Sequence, residues 1–266
     1  MKHILITGST DGIGKLTAIK LAKEGHTIYL HGRNQEKVDK AVEEVKQLSG
    51  NEAVSGFLAD FSDLTTVSKM ADQVNAELDS LDVLINNAGV YNSPAQVNDQ
   101  GLELRMVVNY LAPYHLTNKL MTLFKRGTRI INLSSAAQAP IDLQILSGRK
   151  NAASERDMYA QSKLALIMWS FHLAASEKDC TVIAVNPGSL LHTKMALEAF
   201  GNSWSSADKG ATILHDLAVS DTYAKSSGKY FDNDQGRFSQ AHLEAYDDAK
   251  IEALIAVTNK ILGVEM

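Results

Sequence analysis

Thr7-Gly8-Ser9-Thr10-Asp11-Gly12-Ile13-Gly14 lies between a short apolar run, residues 3 to 7, and a helical pattern from Leu16 to Lys23. A strand, a glycine-rich turn and a helix in that order leave free N–H groups of the helix N-terminus facing the strand's carboxyl end, where a pyrophosphate is favoured. Each glycine has a use there. Gly8 permits the tight turn, Gly12 lets backbone approach a ligand, and Gly14 lets helix and strand pack closely. Glycines between a strand and a helix also make plain turns. The amphipathic helix that follows is the context that favours a phosphate cradle built from Gly8, Ser9, Thr10, Asp11, Gly12, Ile13 and Gly14.

Further along, Ile- and Val-rich runs at 27 to 31, 53 to 59, 81 to 86, 128 to 134, 180 to 186 and 228 to 231 alternate with helical patterns. The runs are too uniformly apolar for one-sided burial. They predict an α/β fold: a Rossmann-like, doubly wound parallel sheet of about seven strands with helices on both faces. With 266 residues, 45% of them hydrophobic, four prolines and no Gly/Ser tract, the chain reads as a single domain, 1–266.

Composition excludes several classes of function. A net charge of −5 and no basic run argue against nucleic acid. The single Cys180 forbids an internal disulfide, and no Cys-x-x-Cys or His-Glu-x-x-His appears, so no metal is expected. The start of the chain lacks the pattern of a signal peptide. The longest apolar helical stretch, Leu164 to Ala175, contains His172 and falls short of the ~20 residues of a membrane span. A cytoplasmic protein is expected.

After the second strand come Gly32-Arg33-Asn34, where an acid would take the ribose hydroxyl of NAD and an arginine suits the 2′-phosphate of NADP. Arg33 points to NADP(H), with NAD(H) not excluded; a solvated arginine before the helix from Glu36 to Leu48 is the other reading. Asp60 and Phe61 end the third strand, where a carboxylate can accept from an adenine amino group, while Asp63 suits a helix cap. Asn87-Ala88-Gly89 close the fourth, as a ligand-facing turn or a simple one. In Tyr159-Ala-Gln-Ser-Lys163 the tyrosine and lysine share one helix face between Glu155 and Ser176. A neighbouring ammonium favours a phenolate, which makes such a pair an acid-base device.

The order of TGxxxGIG, Asn-Asn-Ala-Gly, a strand ending in Ser-Ser and Tyr-x-x-x-Lys resembles the short-chain dehydrogenase/reductase family, over residues 3 to 262. The resemblance implies a nicotinamide cofactor and hydride transfer to or from an alcohol or carbonyl. It assigns Tyr159 as the acid-base group, and Lys163 as the residue that lowers its pKa and holds the ribose. Ser135 becomes the donor to the substrate oxygen, with Ser134 its structural neighbour. Asn109, inside a helical pattern from Leu102 to Phe124, links Lys163 to water. Pro187, Gly188 and Leu190 pass under the nicotinamide.

Two departures stand out. Thr193 follows Pro187-Gly188 after four residues where three are usual, which leaves its cofactor contact open. Ser135 and Tyr159 are 24 positions apart, with 136–156 inserted as a loop expected to act as a mobile lid. That loop and Gly-Lys-Tyr-Phe at 228 to 231 look like the retinol-dehydrogenase-like branch. Substrate-facing groups are expected from Tyr91 to Ala95, from Ile141, Leu143 and Ile145, and from the segment 189–207, Leu190 to Trp204 above all. These imply a small hydrophobic carbonyl or alcohol substrate. A non-catalytic NADP sensor, a nucleotide-sugar epimerase or dehydratase, and a scaffold are the alternatives. The helices from Leu102 to Phe124 and Met158 to Ser176 offer a face for a homo-oligomer.

Overall fold

Among the described residues, eight strands form one sheet: β1 (His3–Ile6), β2 (Thr27–Gly32), β3 (Val54–Leu58), β4 (Val83–Asn86), β5 (Arg129–Leu133), β6 (Thr181–Asn186), β7 (Lys229–Asp232) and β8 (Arg237–Ser239). The computed structural model describes residues 1–152, 154–193, 197 and 205–264. The spatial order is 3-2-1-4-5-6-7-8, parallel throughout except for the antiparallel pair β7 and β8. The added strand, β8, has three residues, too few to show a period in sequence.

The apolar runs alternate between two cores. Ile4, Ile6, Val83, Ile85, Ile131, Ile183 and Val185 point to one face, and Leu5, Leu84, Ile130, Val182 and Ala184 to the other. Strand period 2 therefore persists, but both phases are apolar because helices cover both sides. In chain order the helices are α1 (Gly12–Lys23), α2 (Gln35–Ser49), α3 (Leu64–Glu77), α4 (Leu104–Met106), α5 (Ala112–Lys119), α6 (Leu143–Leu146), α7 (Glu155–Ser176), α8 (Ala207–Val219) and α9 (Asp248–Leu262). Helices α1, α2 and α8 cover the first face; α3, α5, α7 and α9 cover the second.

The expected helix over 102–124 is broken. Between α4 and α5 the residues Val107–Leu111 form a π turn, in which the Ala112 N–H donates to the carbonyl of Val107. Pro113 accounts for part of this, since it has no N–H to give the carbonyl of Asn109 four residues back. Two tyrosines of this stretch are tied to α9: the Tyr110 hydroxyl meets Thr258 Oγ1 at 2.7 Å, and Tyr114 donates to Asn259 at 2.6 Å.

The inserted segment is not a structureless lid. It carries α6, capped by Asp142, whose carboxylate also pairs with Lys150 at 2.8 Å and whose N–H donates to Gln161 on α7 at 2.9 Å. Ile145 and Leu146 are buried, and Ile141 and Leu143 pack on the core beside α7. None of Ile141, Leu143 and Ile145 lines the cavity described below, because their side chains are drawn into that packing. No helix among the described residues is long and apolar enough to cross a membrane.

Candidate active site

The strand order reverses between β1 and β4, so the chain leaves their carboxyl ends in opposite directions and opens a crevice there. A cavity of about 1360 Å³ occupies it, and Gly8, Thr10, Asp11, Gly12, Ile13, Gly14, Arg33, Asp60, Phe61, Asn87, Ala88, Gly89, Ser135, Tyr159, Lys163, Pro187, Gly188 and Leu190 all line it.

The floor is the glycine turn, and Asn87 stitches it to β4. Its side-chain amide donates to the carbonyls of Thr7 at 2.8 Å and Gly8 at 2.9 Å, while Thr7 Oγ1 accepts from the N–H groups of Asn87 and Ala88. Gly14 leaves room for that amide, since a Cβ there would come within 2.5 Å of it. Asp11 caps α1 through the Gly12 N–H. Ser9 departs from its expected role. Its hydroxyl turns inward, donating to the Ile6 carbonyl at 2.7 Å and accepting from the His31 N–H at 3.0 Å, so it serves the turn rather than the cavity wall.

His31 was not singled out by its sequence, and it proves central to this floor. Its Nδ1 accepts from the Gly8 N–H at 3.0 Å, which leaves the ring proton on Nε2, facing the Ala59 carbonyl at 3.0 Å. The ring stacks on Phe61 with centroids 4.3 Å apart. Burial pushes its pKa down to about 4, so it is neutral at physiological pH. A histidine at the end of an apolar strand was the available signal.

Beside the floor, Gly32 faces Thr10: a Cβ at 32 would meet the Thr10 methyl at 2.5 Å and Val38 at 2.9 Å. A side chain at that position, an acid included, would have to push Thr10 and Val38 aside. Arg33 and Lys37 stand exposed at the same mouth. Asp60 is partly committed, its Oδ1 accepting from the N–H and hydroxyl of Ser62.

At the other end Tyr159 and Lys163 leave one face of α7, which starts at Glu155 because Ser154 caps it by accepting from the Asp157 N–H. Ser135 hydrogen-bonds the Tyr159 hydroxyl, and the Tyr91 ring lies 4.9 Å from that of Tyr159. Lys163 is buried, its Nζ donating to the Leu133 carbonyl at 2.8 Å and lying 5.5 Å from the Tyr159 ring centroid.

The expected lowering of the tyrosine pKa is reversed here. Burial raises Tyr159, against the Ser135 hydrogen bond, and burial pushes Lys163 down to about 7. Both groups sit in one water-poor space, where each neutral form is favoured.

Asn109 is buried rather than exposed. Its amide donates to the Val90 carbonyl and to Ser162 Oγ, each at 3.0 Å, and its Oδ1 accepts from the Val90 N–H at 2.8 Å. The side chain thus clamps the end of β4 to α7. Gly89 keeps this corner open: a Cβ would lie 3.2 Å from Asn109 Oδ1 and 3.4 Å from Lys163 Nζ.

Ser134 donates to the Lys163 carbonyl at 2.8 Å, a structural bond. The carbonyl of Ser135 is itself held by Tyr230 at 3.1 Å and Gln138 at 3.0 Å. The tyrosine of Gly-Lys-Tyr-Phe therefore steadies the serine, a contact its sequence position did not reveal.

The turn after β6 is anchored by Asp234, which accepts from the N–H and hydroxyl of Ser189 and from Asn186. Leu190 adopts φ 49, in the left-handed region, and the chain then carries Thr193 over the glycine turn, its methyl 3.8 Å from where a Gly12 Cβ would be. Residues 194–196 and 198–204, most of the expected stretch from Leu190 to Trp204, lie outside the described residues. Tyr91, Asn92, Ser93, Pro94 and Ala95 do line the cavity, joined by Val97, Leu104, Val108 and Leu191.

The family model described as short chain dehydrogenase matches residues 2–203. Human retinol dehydrogenase 13 is 31% identical over 285 residues, spanning 99% of this chain and 85% of that protein. A crystal structure of an uncharacterized protein from Mycobacterium paratuberculosis superposes with a TM-score of 0.80 at 28% identity, covering 100% of this chain and 94% of the other. A short chain dehydrogenase from Escherichia coli CFT073 complexed with NADPH has a TM-score of 0.70 at 25% identity, covering 87% and 96%.

Proposed function

We propose, from the premise that the chain belongs to the short chain dehydrogenase family and is an NAD(P)-dependent oxidoreductase of CH–OH and C=O groups, that it prefers NADP(H) and acts on a hydrophobic carbonyl or its alcohol. The observation that carries the cofactor preference is the close approach of Thr10 to Gly32: it disfavours an acid that would read a free ribose and leaves Arg33 and Lys37 at that mouth. The residues fit the cofactor. The glycine turn and the start of α1 would hold the pyrophosphate, Arg33 the 2′-phosphate, Asp60 and Phe61 the adenine side, and Lys163 with Pro187, Gly188 and Leu190 the nicotinamide side.

When bound, the nicotinamide supplies the hydride chemistry. The chain's own part is the proton. Tyr159, kept protonated by burial, gives its proton to the substrate oxygen, and Ser135 donates a second hydrogen bond to that oxygen. A protonated tyrosine is the form that carbonyl reduction needs. Lys163 lies where an ammonium steadies the tyrosinate left behind. Asn109 and Ser162 hold the backbone of Val90 and so the corner in which Lys163 sits. The apolar wall of Pro94, Ala95, Val97, Leu104 and Val108 supports a hydrophobic substrate. The buried lone thiol of Cys180 is in keeping with a reducing, cytoplasmic setting.

The test pairs two variants with a panel of aldehydes and ketones followed by NADPH absorbance. NADPH should bind more tightly than NADH, and Arg33→Ala should weaken NADPH alone. Tyr159→Phe should keep NADPH binding and lose at least ~10²-fold in turnover. Equal affinity for the two cofactors would overturn the preference, and activity surviving in Tyr159→Phe would remove the tyrosine from the mechanism.

A further inference from the structure

Arg105 is 1% exposed, an unusual place for a guanidinium unless it is fully paired. It is paired on every side. Nη1 donates to Glu103 at 2.5 Å, Nη2 to Glu155 at 2.5 Å, and Nε to the carbonyl of Tyr91 at 2.8 Å. Glu103 in turn caps α4, its Oε2 accepting from the Met106 N–H at 2.9 Å.

Two of these partners flank the reacting tyrosine. Glu155, Tyr159 and Lys163 follow one another at intervals of four along one face of α7, so the residue Arg105 grips sits one turn before Tyr159. Tyr91, whose backbone it also grips, lays its ring at 52° against that of Tyr159. A planar fork of five N–H donors binds both segments at fixed angles, a geometry that a lysine ammonium does not reproduce. Burial alone does not explain the choice, because apolar residues of similar volume replace buried ion pairs without loss in other folds.

We propose that Arg105 is a positioning residue: it holds Tyr91 against Tyr159, and the Tyr91 ring is the wall that sets where a substrate carbonyl meets the Tyr159 hydroxyl. This rests on the reading of Tyr159 as the proton donor. It gives Tyr91 a part in specificity, since a substrate must fit beside the two packed rings, on the side of the apolar mouth at Pro94 and Val97.

The experiment uses the full chain with Arg105→Lys, Tyr91→Ala, the double variant, and Tyr159→Phe. Arg105→Lys keeps a cation beside Glu103, so the fold is spared an unpaired buried carboxylate, while the three-way grip is lost. The measurements are kcat and KM for a reduced carbonyl, the NADPH dissociation constant, and the NMR resonance of the Tyr159 ring, assigned by its loss in Tyr159→Phe. Arg105→Lys should move that resonance and lower kcat/KM by on the order of 10²-fold, the cost of a misplacement near 1 Å, with NADPH affinity held. In the Tyr91→Ala background the same change should do neither. An unmoved resonance, or an equal effect in both backgrounds, overturns the proposal. A wild-type protein that turns over no carbonyl compound refutes the functional reading instead, and the ring resonance still decides the positioning of Tyr159 by Arg105.

Discussion

Acidifying the protein from pH 7 to pH 4 should remove about 3 kcal/mol of stability through His31 alone. The ring has no room for a second proton: Nε2–H is spent on the Ala59 carbonyl and Nδ1 accepts from the Gly8 N–H. Protonation would set two donors face to face at Gly8 and place a charge in a fully buried position. Burial accordingly lowers the pKa from 6.5 to about 4, with the Ala59 hydrogen bond and then the Asp60 charge opposing only in part. In the unfolded chain the ring takes its proton near 6.5, so between 6.5 and 4 the unfolded state binds more protons. Stability is therefore fully present above about 6.5 and is lost as pH falls toward 4. Two and a half pH units at about 1.4 kcal/mol each give about 3.5 kcal/mol once the titration is complete, of which about 3 kcal/mol is reached at pH 4.

Urea midpoints from pH 4 to 7.5 would measure it, against His31→Gln, whose amide can span Gly8 and Ala59 without titrating. Carboxylates contribute to both proteins and cancel in the difference. A wild-type minus variant difference that stays constant across this range would refute the reasoning. The same proton should loosen the Gly8 turn, so NADPH affinity should fall faster with acidity in the wild type than in the variant.

Lys163→Met should abolish turnover yet raise the urea midpoint of the cofactor-free protein. The folded pKa is depressed to about 7 from 10.5, so the charge costs stability fully below 7, and the gain should shrink as pH rises from 7 to 10.5. An unchanged midpoint at pH 6 would show that the buried ammonium costs nothing. Gly14→Ala sets a Cβ 2.5 Å from the Asn87 amide and 2.7 Å from the Gly8 carbonyl. Since one of those is backbone, the loss should be about 1–3 kcal/mol in urea unfolding together with weaker NADPH binding in a fluorescence titration. Wild-type behaviour in both would mean the turn and β4 can separate freely.

Much of this protein could be read from local order in the chain. A strand, three spaced glycines and a helix can be read as a cradle without the tertiary fold, because strand end, turn and helix start are covalently consecutive. Tyr159 and Lys163 share a face because four residues make about one helical turn. The two-sided sheet follows from apolar residues in both phases of each strand.

What local order does not carry is which groups lose water and what then faces them. Ser9 sits in the cradle motif yet turns inward to His31, 22 residues away. Asn109, which the family resemblance ties to Lys163 through water, is a buried clamp, because Val90 and Ser162 close on it from two other elements. Nothing local marks Arg105 and Glu103 as a buried pair; the loop after β4 and the start of α7 enclose them, and Glu155 joins from the exposed first turn of α7. The shifts at Tyr159 and Lys163 have the same origin: spacing alone predicts that the ammonium favours a tyrosinate, whereas the folded cavity excludes water from both groups and favours their neutral forms. Periodicity along a chain sets which side chains share a face, but desolvation depends on the chain segments that fold over that face, and those are brought there by packing between residues far apart in sequence.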